Sequence, residues 1–352
     1  MGRWLRWAWV GVCVAACRPA PHAPVSTPAP GSLRADLDPA ALANAAVGKA
    51  LFQKAYTPAE GMGPHFNFDR CGACHDKPAS GGHGDMDHAA RLVAIAGDVT
   101  GVPFRALPGT TPLTVAAGIA VSVNKPPPLF GLGLVDDLPD AAIADHCGKD
   151  AALGIAGIAN FNPGRGRVGR FGFKAHAATL ADFVANALNL EMGLTNPIER
   201  DPRLQTDSDA VPDPDVPTAT VLRMTDYVRA LAPPAPPVAN PEQQARFAEL
   251  GCATCHRPQT APGVAAYSDF CVHDLGAGFD NKIKDFLASP RHWRTAPLWG
   301  LRWRDKYFHD DRAADLDTAV RMHGGEAEKV RDRYVALAEA DRVAFLGWLK
   351  KL

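Results

Sequence analysis

Four segments of the chain carry a helical apolar period. Residues 45–56 (AAVGKALFQKAY) gather their apolar side chains on one face. In residues 240–250, Asn240 is placed to cap, Pro241 suits the first turn, and Phe247 and Leu250 fall about one turn apart. Residues 218–231 align Val221, Met224, Val228 and Leu231 in one stripe, and residues 339–352 do so with Val343, Leu346, Leu349 and Leu352. The proline-rich run APPAPPVAN at 232–240 reads as a linker. The pattern predicts a mainly α protein of two units, 38–232 and 241–352, each running from a leading helix through long loops to a closing helix. Inside the units, HAATLADFVANA (176–187) aligns without gaps on RAADLDTAVRMH (312–323), so that Ala177, Ala178, Leu180 and Val184 fall on Ala313, Ala314, Leu316 and Val320.

Composition sharpens this picture. Hydrophobic residues make up 47% of the 352, enough for real cores, and 32 glycines with 31 prolines predict long loops. A formal charge of −1 without a long basic run argues against a nucleic-acid surface. At the start, Arg3 and Arg6 precede an apolar stretch at 7–16, too short to span a bilayer as a mature helix and right for an export signal. The stretch ends in VAAC, the form of a bacterial lipobox. This predicts a lipoprotein signal peptide at 1–16 and a lipidated Cys17, with ordinary signal cleavage as the alternative. Arg18 rather than aspartate follows, which favours the periplasmic face of the outer membrane. Residues 17–37, rich in proline and small residues, read as a flexible tether. The acidic run DPRLQTDSDAVPDPDVP (201–217) reads as a solvated loop, with calcium binding as the other reading.

The chemistry lies in CGACH (71–75) and CATCH (252–256), each following a predicted helix. Two cysteines three apart on a tight turn reach the two vinyl groups of one haem, and the adjacent histidine offers its imidazole to the iron. A zinc site needs four ligands in one cluster, whereas these pairs stand far apart in separate units. A redox-active C-x-x-C wants an α/β context. The residues therefore point to two covalently bound haem c groups: Cys71 and Cys74 with His75 on iron, and Cys252 and Cys255 with His256 on iron. The units then read as cytochrome c-like haem domains. Cys147 and Cys271 remain, either paired with each other or separately buried.

Function turns on the second axial ligand of each haem. His323, between the second motif and the closing helix, is the candidate for the second haem, with Met322 as the alternative. In the gapless repeat its counterpart is Ala187, which cannot ligate iron, so the first haem is expected to keep an open face. Glu191, one helical turn further on, is a candidate proton shuttle there; a solvated helix-end glutamate is the competing reading. Arg170 and Lys174 either set its field, point outward or hold haem propionates.

PPPLFGLGLVDDLPD (126–140), GRFGFKA (169–175), EMGLTNP (191–197), HDLGAG (273–278), WRTAPLWGL (293–301) and YFHDDRA…HGGEA (307–327), with both C-x-x-C-H motifs, resemble the dihaem oxidoreductase family, also called thiol oxidoreductases. That family is similar to the bacterial dihaem cytochrome c peroxidases and to the methylamine-utilisation dihaem enzyme, and more distantly to a dihaem rubber oxygenase. The resemblance implies a peroxidatic N-terminal haem with Glu191 as distal acid–base, and an electron-entry C-terminal haem. It implies hydrogen peroxide or another small oxidant as substrate, and a small cytochrome or cupredoxin as electron donor. Membrane contact would come only through the lipid anchor. His323 stands where the peroxidases have methionine, which implies two imidazoles and a lower potential. A removable ligand on the first haem has no secure match; His83 and His88 lie at suitable distances along the chain. Phe173 stands where the family leads one to expect tryptophan, leaving Trp293 and Trp299 as relay candidates, and Asp311 stands where glycine is usual. A pure electron-transfer cytochrome, and an oxygenase or protein-modifying oxidase at the same open haem, are the rival functions.

Overall fold

The computed structural model describes residues 28–95, 98–199, 201 and 204–352. The expected signal at 1–16, Cys17 and the first part of the tether lie outside the described residues. Asp38 caps the helix Pro39–Gln53, its carboxylate accepting from the Ala41 N–H at 2.8 Å, and Pro39 occupies the first turn. This helix packs along Thr218–Ala230, which buries Val221, Met224, Tyr227 and Val228. The approach is close enough that a Cβ on Gly48 would lie 1.9 Å from the Arg223 carbonyl oxygen. Only glycine lets the two backbones meet there. Asn240 caps Pro241–Leu250 through the Gln243 N–H at 3.1 Å. The apolar face of that helix joins Glu339–Leu349 in an aromatic core of Phe247, Tyr334, Phe345 and Trp348.

The expectation of a mainly α protein built from two cytochrome c-like domains is corrected here. Only 34% of the chain is helical, in ten α-helices among the described residues, and several small sheets stand beside them. The largest sheet is three antiparallel strands, Asp98–Gly101, Ala90–Ile95 and Val121–Asn124. The rest are two-stranded ladders of two or three residues a strand. The physical reason lies in the long connections. Their glycines and prolines stop helices, and their short apolar runs, such as ARLVAI at 90–95, satisfy backbone groups by pairing locally.

The two units expected from the sequence share a core. Phe52, Leu129, Leu138, Leu180 and Tyr227 cluster with Phe270, Cys271 and Trp299. A disulfide joins Cys147 to Cys271, choosing between the two readings left open for these cysteines. Near it the Gly148 N–H donates to Asp269 at 2.9 Å, and the Ala156 N–H to Glu326 at 2.9 Å. Among the described residues no helix is long and apolar enough to cross a membrane.

The internal repeat is also a repeat of backbone. Phe171 bridges Ala177 as Tyr307 bridges Ala313. Ala175 and Asp311 are both left-handed, at φ of 52° and 57°. Thr179 caps Leu180–Met192 by accepting from the Asp182 N–H, and Asp315 caps Leu316–Arg321 by accepting from the Thr318 N–H. Each pair falls at the same offset along the alignment.

Candidate functional site

Both C-x-x-C-H motifs line one cavity of about 930 Å³, walled mostly by apolar side chains. At the first, Cys71–Cys74 forms a single helical turn and the His75 N–H closes on the Cys71 carbonyl at 3.1 Å. At the second, Gly251 ends the leading helix in the left-handed region, and the His256 N–H closes on the Cys252 carbonyl at 2.9 Å. The two motifs fold alike: a turn presents the cysteines and delivers the histidine beneath it.

The donor set fits haem. His75 Nδ1 faces the Gly82 carbonyl at 3.0 Å, His256 Nδ1 the Tyr267 carbonyl at 3.1 Å, and His323 Nδ1 the Ala319 carbonyl at 2.8 Å. A carbonyl only accepts, so each Nδ1 carries the proton and each Nε2 keeps its lone pair for a metal. Burial lowers the pKa of all three rings, His256 to about 4 with His323 as a further cause, so the imidazoles stay neutral. Cys71, Cys74, Cys252 and Cys255 are free thiols; burial pushes the first three up to about 12. Among the described residues no cluster of cysteines and histidines offers a zinc site.

The His256 and His323 ring centroids lie 6.5 Å apart. Two imidazoles sharing one metal at histidine–metal bonds of about 2 Å need roughly that spacing. Phe308 packs on His323 at 5.7 Å. Met322 packs into the aromatic core, and of the two candidates it is His323 that lines the cavity.

The wall near the first motif is the helix Leu180–Met192. Leu180, Ala185, Leu188 and Met192 bury its inner stripe, and Ala187 and Glu191 line the cavity. Gly193 ends it at φ 69°, where a Cβ would lie 2.4 Å from the Gly63 carbonyl oxygen. That contact brings the segment before Cys71 against the end of the helix. The Asn67 N–H donates to the Glu191 carbonyl at 2.6 Å, the Asn67 amide nitrogen donates to Glu191 Oε2, and Asn67 Oδ1 accepts from the Phe104 N–H at 3.1 Å. Burial raises the Glu191 pKa to about 6, the Asn67 hydrogen bond opposing it. The Glu191 charge is felt at Cys74, which ties the carboxylate to the first motif.

The two histidines considered for the first haem part ways. His88 lines the cavity, its ring 4.5 Å from Phe68 and its Nδ1 buried without a partner among the described residues. His83 is turned away, its ring nitrogens facing the Gly84 and Trp303 carbonyls. Arg170 is fully buried and paired with Asp140. The Lys174 ammonium sits 4.6 Å above the Trp293 ring. Trp293 stacks on His309 at 3.8 Å, while Trp299 belongs to the shared core.

Sequence reasoning missed Asn67, His309, and the buried pair of Lys125 with Asp311 at 2.9 Å. It also missed His273, which lies between Asp269 at 3.0 Å and Glu326 at 2.8 Å beside Cys255. Asn67, Lys125 and the Glu326 partner of His273 meet across long stretches of chain, so no local spacing announces those contacts; Asp269 lies only four residues before His273. In the acidic loop, Asp207, Asp209 and Asp215 bring carboxylate oxygens within 4.8 Å of one another. Burial and the neighbouring carboxylates raise Asp207 to about 6.

The histidines and cysteines around this cavity fit a haem-binding protein. Residues 115–352 match the family described as "Di-haem oxidoreductase, putative peroxidase", and the chain belongs to that family. No curated protein matches the chain. Among solved structures it is similar to Kuenenia stuttgartiensis hydrazine synthase pressurised with 20 bar xenon. The identity is 19% and the TM-score 0.25, over 38% of this chain and 55% of that one. The chain thus spans about half of that relative's length, and so slight a likeness carries no argument.

Proposed function

We propose that this protein is a c-type dihaem oxidoreductase of the peroxidase kind. The first haem would be attached through Cys71 and Cys74 with His75 on its iron, and the second through Cys252 and Cys255 with His256 and His323 on its iron. The observation that carries this reading is an asymmetry: His323 faces His256 across 6.5 Å, whereas its counterpart Ala187 has no side chain to offer a metal and Glu191 lines the cavity a turn later.

When bound, each haem supplies an iron centre that takes up and releases single electrons. The chain supplies the rest. Glu191, with a pKa of about 6, takes a proton from the near oxygen of hydrogen peroxide, or of another small oxidant, and returns it to the far oxygen. Asn67 fixes the carboxylate through Oε2. Apolar side chains around the pocket exclude bulk water. Electrons enter through the second site from a small cytochrome or cupredoxin, by way of the wall carrying Trp293 and His309. An exported, lipid-anchored protein at the periplasmic face of the outer membrane suits covalent haem attachment and this donor class. Calcium at Asp207, Asp209 and Asp215 would brace the loop after the Glu191 helix. On this reading chelation lowers the melting temperature and calcium restores it.

Electron paramagnetic resonance of the ferric protein tests the asymmetry. One low-spin signal with two nitrogen ligands, one high-spin signal and one cyanide bound per chain are expected, and His323→Ala raises cyanide to two. Two low-spin centres that stay saturated when half-reduced, with no turnover of peroxide and reduced cytochrome, overturn it in favour of an electron carrier. Turnover with oxygen and organic substrates, and none with peroxide, overturns it in favour of an oxygenase. Colour that acid–acetone extracts rules out covalent attachment.

A further inference from the structure

The cavity wall is not electrically balanced. Some cations along it are matched: Arg170 by Asp140, and Lys125 by Asp311. Lys174, Arg294 and Arg304 line the same cavity, and among the described residues none has a carboxylate within ion-pair distance.

The three differ in what they have left to give. Lys174 spends its three ammonium hydrogens on the carbonyls of Ser289, Pro290 and His292, at 3.0, 3.2 and 2.9 Å. Arg294 donates from Nε to the Gly172 carbonyl at 2.8 Å and from Nη1 to the Thr295 carbonyl at 3.3 Å, which leaves three N–H groups. The Arg304 guanidinium makes no hydrogen bond among the described residues, and its Nε is buried without a partner. Yet Arg304 is held in place: its carbonyl accepts from Lys350 and from the Tyr307 hydroxyl at 2.9 Å. Burial drags Lys174 down to about 8 and Arg294 down to about 10, and lowers Arg304 as well. A protein does not keep three cations in such a place without an anion to meet them.

Their place narrows the anion. Residues 307–311 run from one pocket to the other. Phe308 packs on His323, and the His309 carbonyl accepts from the Lys125 N–H at 2.6 Å. The next residue, Pro126, accepts from the Gly84 N–H in the loop that follows His75. Arg304 lines the cavity and also a small recess with Lys77, Pro78 and His83, which sets it beside that same loop. A neutral oxidant brings no charge to that wall. A haem brings carboxylates, and a guanidinium with unused parallel N–H groups is built for a carboxylate.

We propose that Arg304 and Arg294 anchor haem propionates along this cavity wall, with Lys174 contributing charge but no hydrogen bond. This rests on the dihaem reading, so the test first counts covalent haem by pyridine haemochrome; fewer than two per chain in the unaltered protein sinks that reading. With two in place, midpoint potentials are measured from pH 5 to pH 9. Arg304→Gln and Arg294→Gln should each lower a potential at high pH and give it a new slope between pH 5 and 8, as a freed propionate titrates. Arg304→Lys should restore the potential in part. Lys174→Met should lower a potential without adding slope. If the glutamine variants do not fold, infrared spectra of the unaltered protein with labelled propionates decide: no protonated-carboxyl band is expected down to pH 5. Potentials and slopes unchanged in both glutamine variants, or propionates titrating like free carboxylic acids in the unaltered protein, overturn the proposal.

Discussion

The stretches that begin at Phe171 and Tyr307 start alike and end differently. Both make a bridge across six residues, both turn through a left-handed residue, and both cap a helix with an oxygen side chain. The first helix then runs thirteen residues, Leu180–Met192, and the second stops after six, Leu316–Arg321. Gly324 and Gly325 follow the second, and Gly325 is left-handed at φ 56°. Because that helix stops early, His323 turns into the cavity. Because the first continues, Ala187 stays on the helix and Glu191 arrives a turn later. Where a helix ends thus decides whether a histidine or a glutamate comes to line the cavity.

Exchanging that acid should have the largest effect. Glu191→Gln removes the proton acceptor and keeps the shape, so peroxide turnover should fall about 10²–10⁴-fold. A rate within about twofold of the unaltered protein in steady-state assays would take Glu191 out of the reaction. The sign of the pH dependence follows from the raised pKa. The carboxylate accepts a proton only when ionised, so kcat/KM should rise with pH through about 6 and fall below it.

The left-handed residues of the two stretches offer the next comparison. Asp311 is in the left-handed region, which costs a non-glycine residue about 1–2 kcal/mol, and it pairs with the buried Lys125. Asp311→Gly relieves the strain but strands the lysine, a loss of about 3–5 kcal/mol. The net loss should be about 1–4 kcal/mol by chemical denaturation. Adding Lys125→Met should recover most of it. If Asp311→Gly alone is stabilising, the pair contributes nothing there.

Asn67 comes third. It holds the Glu191 carboxylate and opposes the effect of burial on it. A hydrogen bond to a charged group is worth about 1.5–3 kcal/mol, so Asn67→Ala should move the acid limb of the pH profile up by about one to two units. A limb that stays put while the rate falls at every pH would mean that Asn67 only shapes the pocket.

How much of this could be read from the sequence depends on how local each signal was. The helices over 39–53, 218–230, 241–250 and 339–349 show as apolar stripes, with a cap legible only at Asn240; the first begins six residues before the expected 45, and the other three start at or within a residue of the expectation. The repeat was visible as letters because its backbone repeats. The mainly α reading failed because ladders of two or three residues carry no period long enough to detect. Asn67 with Glu191, Lys125 with Asp311, and Cys147 with Cys271 each join residues more than a hundred positions apart. Only the fold brings such residues together, so the cysteines could be noted and their pairing left open, while Asn67 gave no signal.

The smallest effect closes the comparison of the two stretches. Ala175 holds the left-handed position that matches Asp311, but it is fully buried and has no charge to pair. Ala175→Gly relieves about 1–2 kcal/mol of backbone strain. It gives back about 0.5–1 kcal/mol in unfolded-chain entropy and about as much again for the lost methyl contacts. The terms nearly cancel, so denaturation midpoints should shift by less than about 1 kcal/mol. The same turn would then tolerate glycine in the first stretch and resist it in the second, solely because of the lysine facing Asp311. Equal losses at both positions would place the cost in the turn itself and leave the Lys125 pair without a stabilising part.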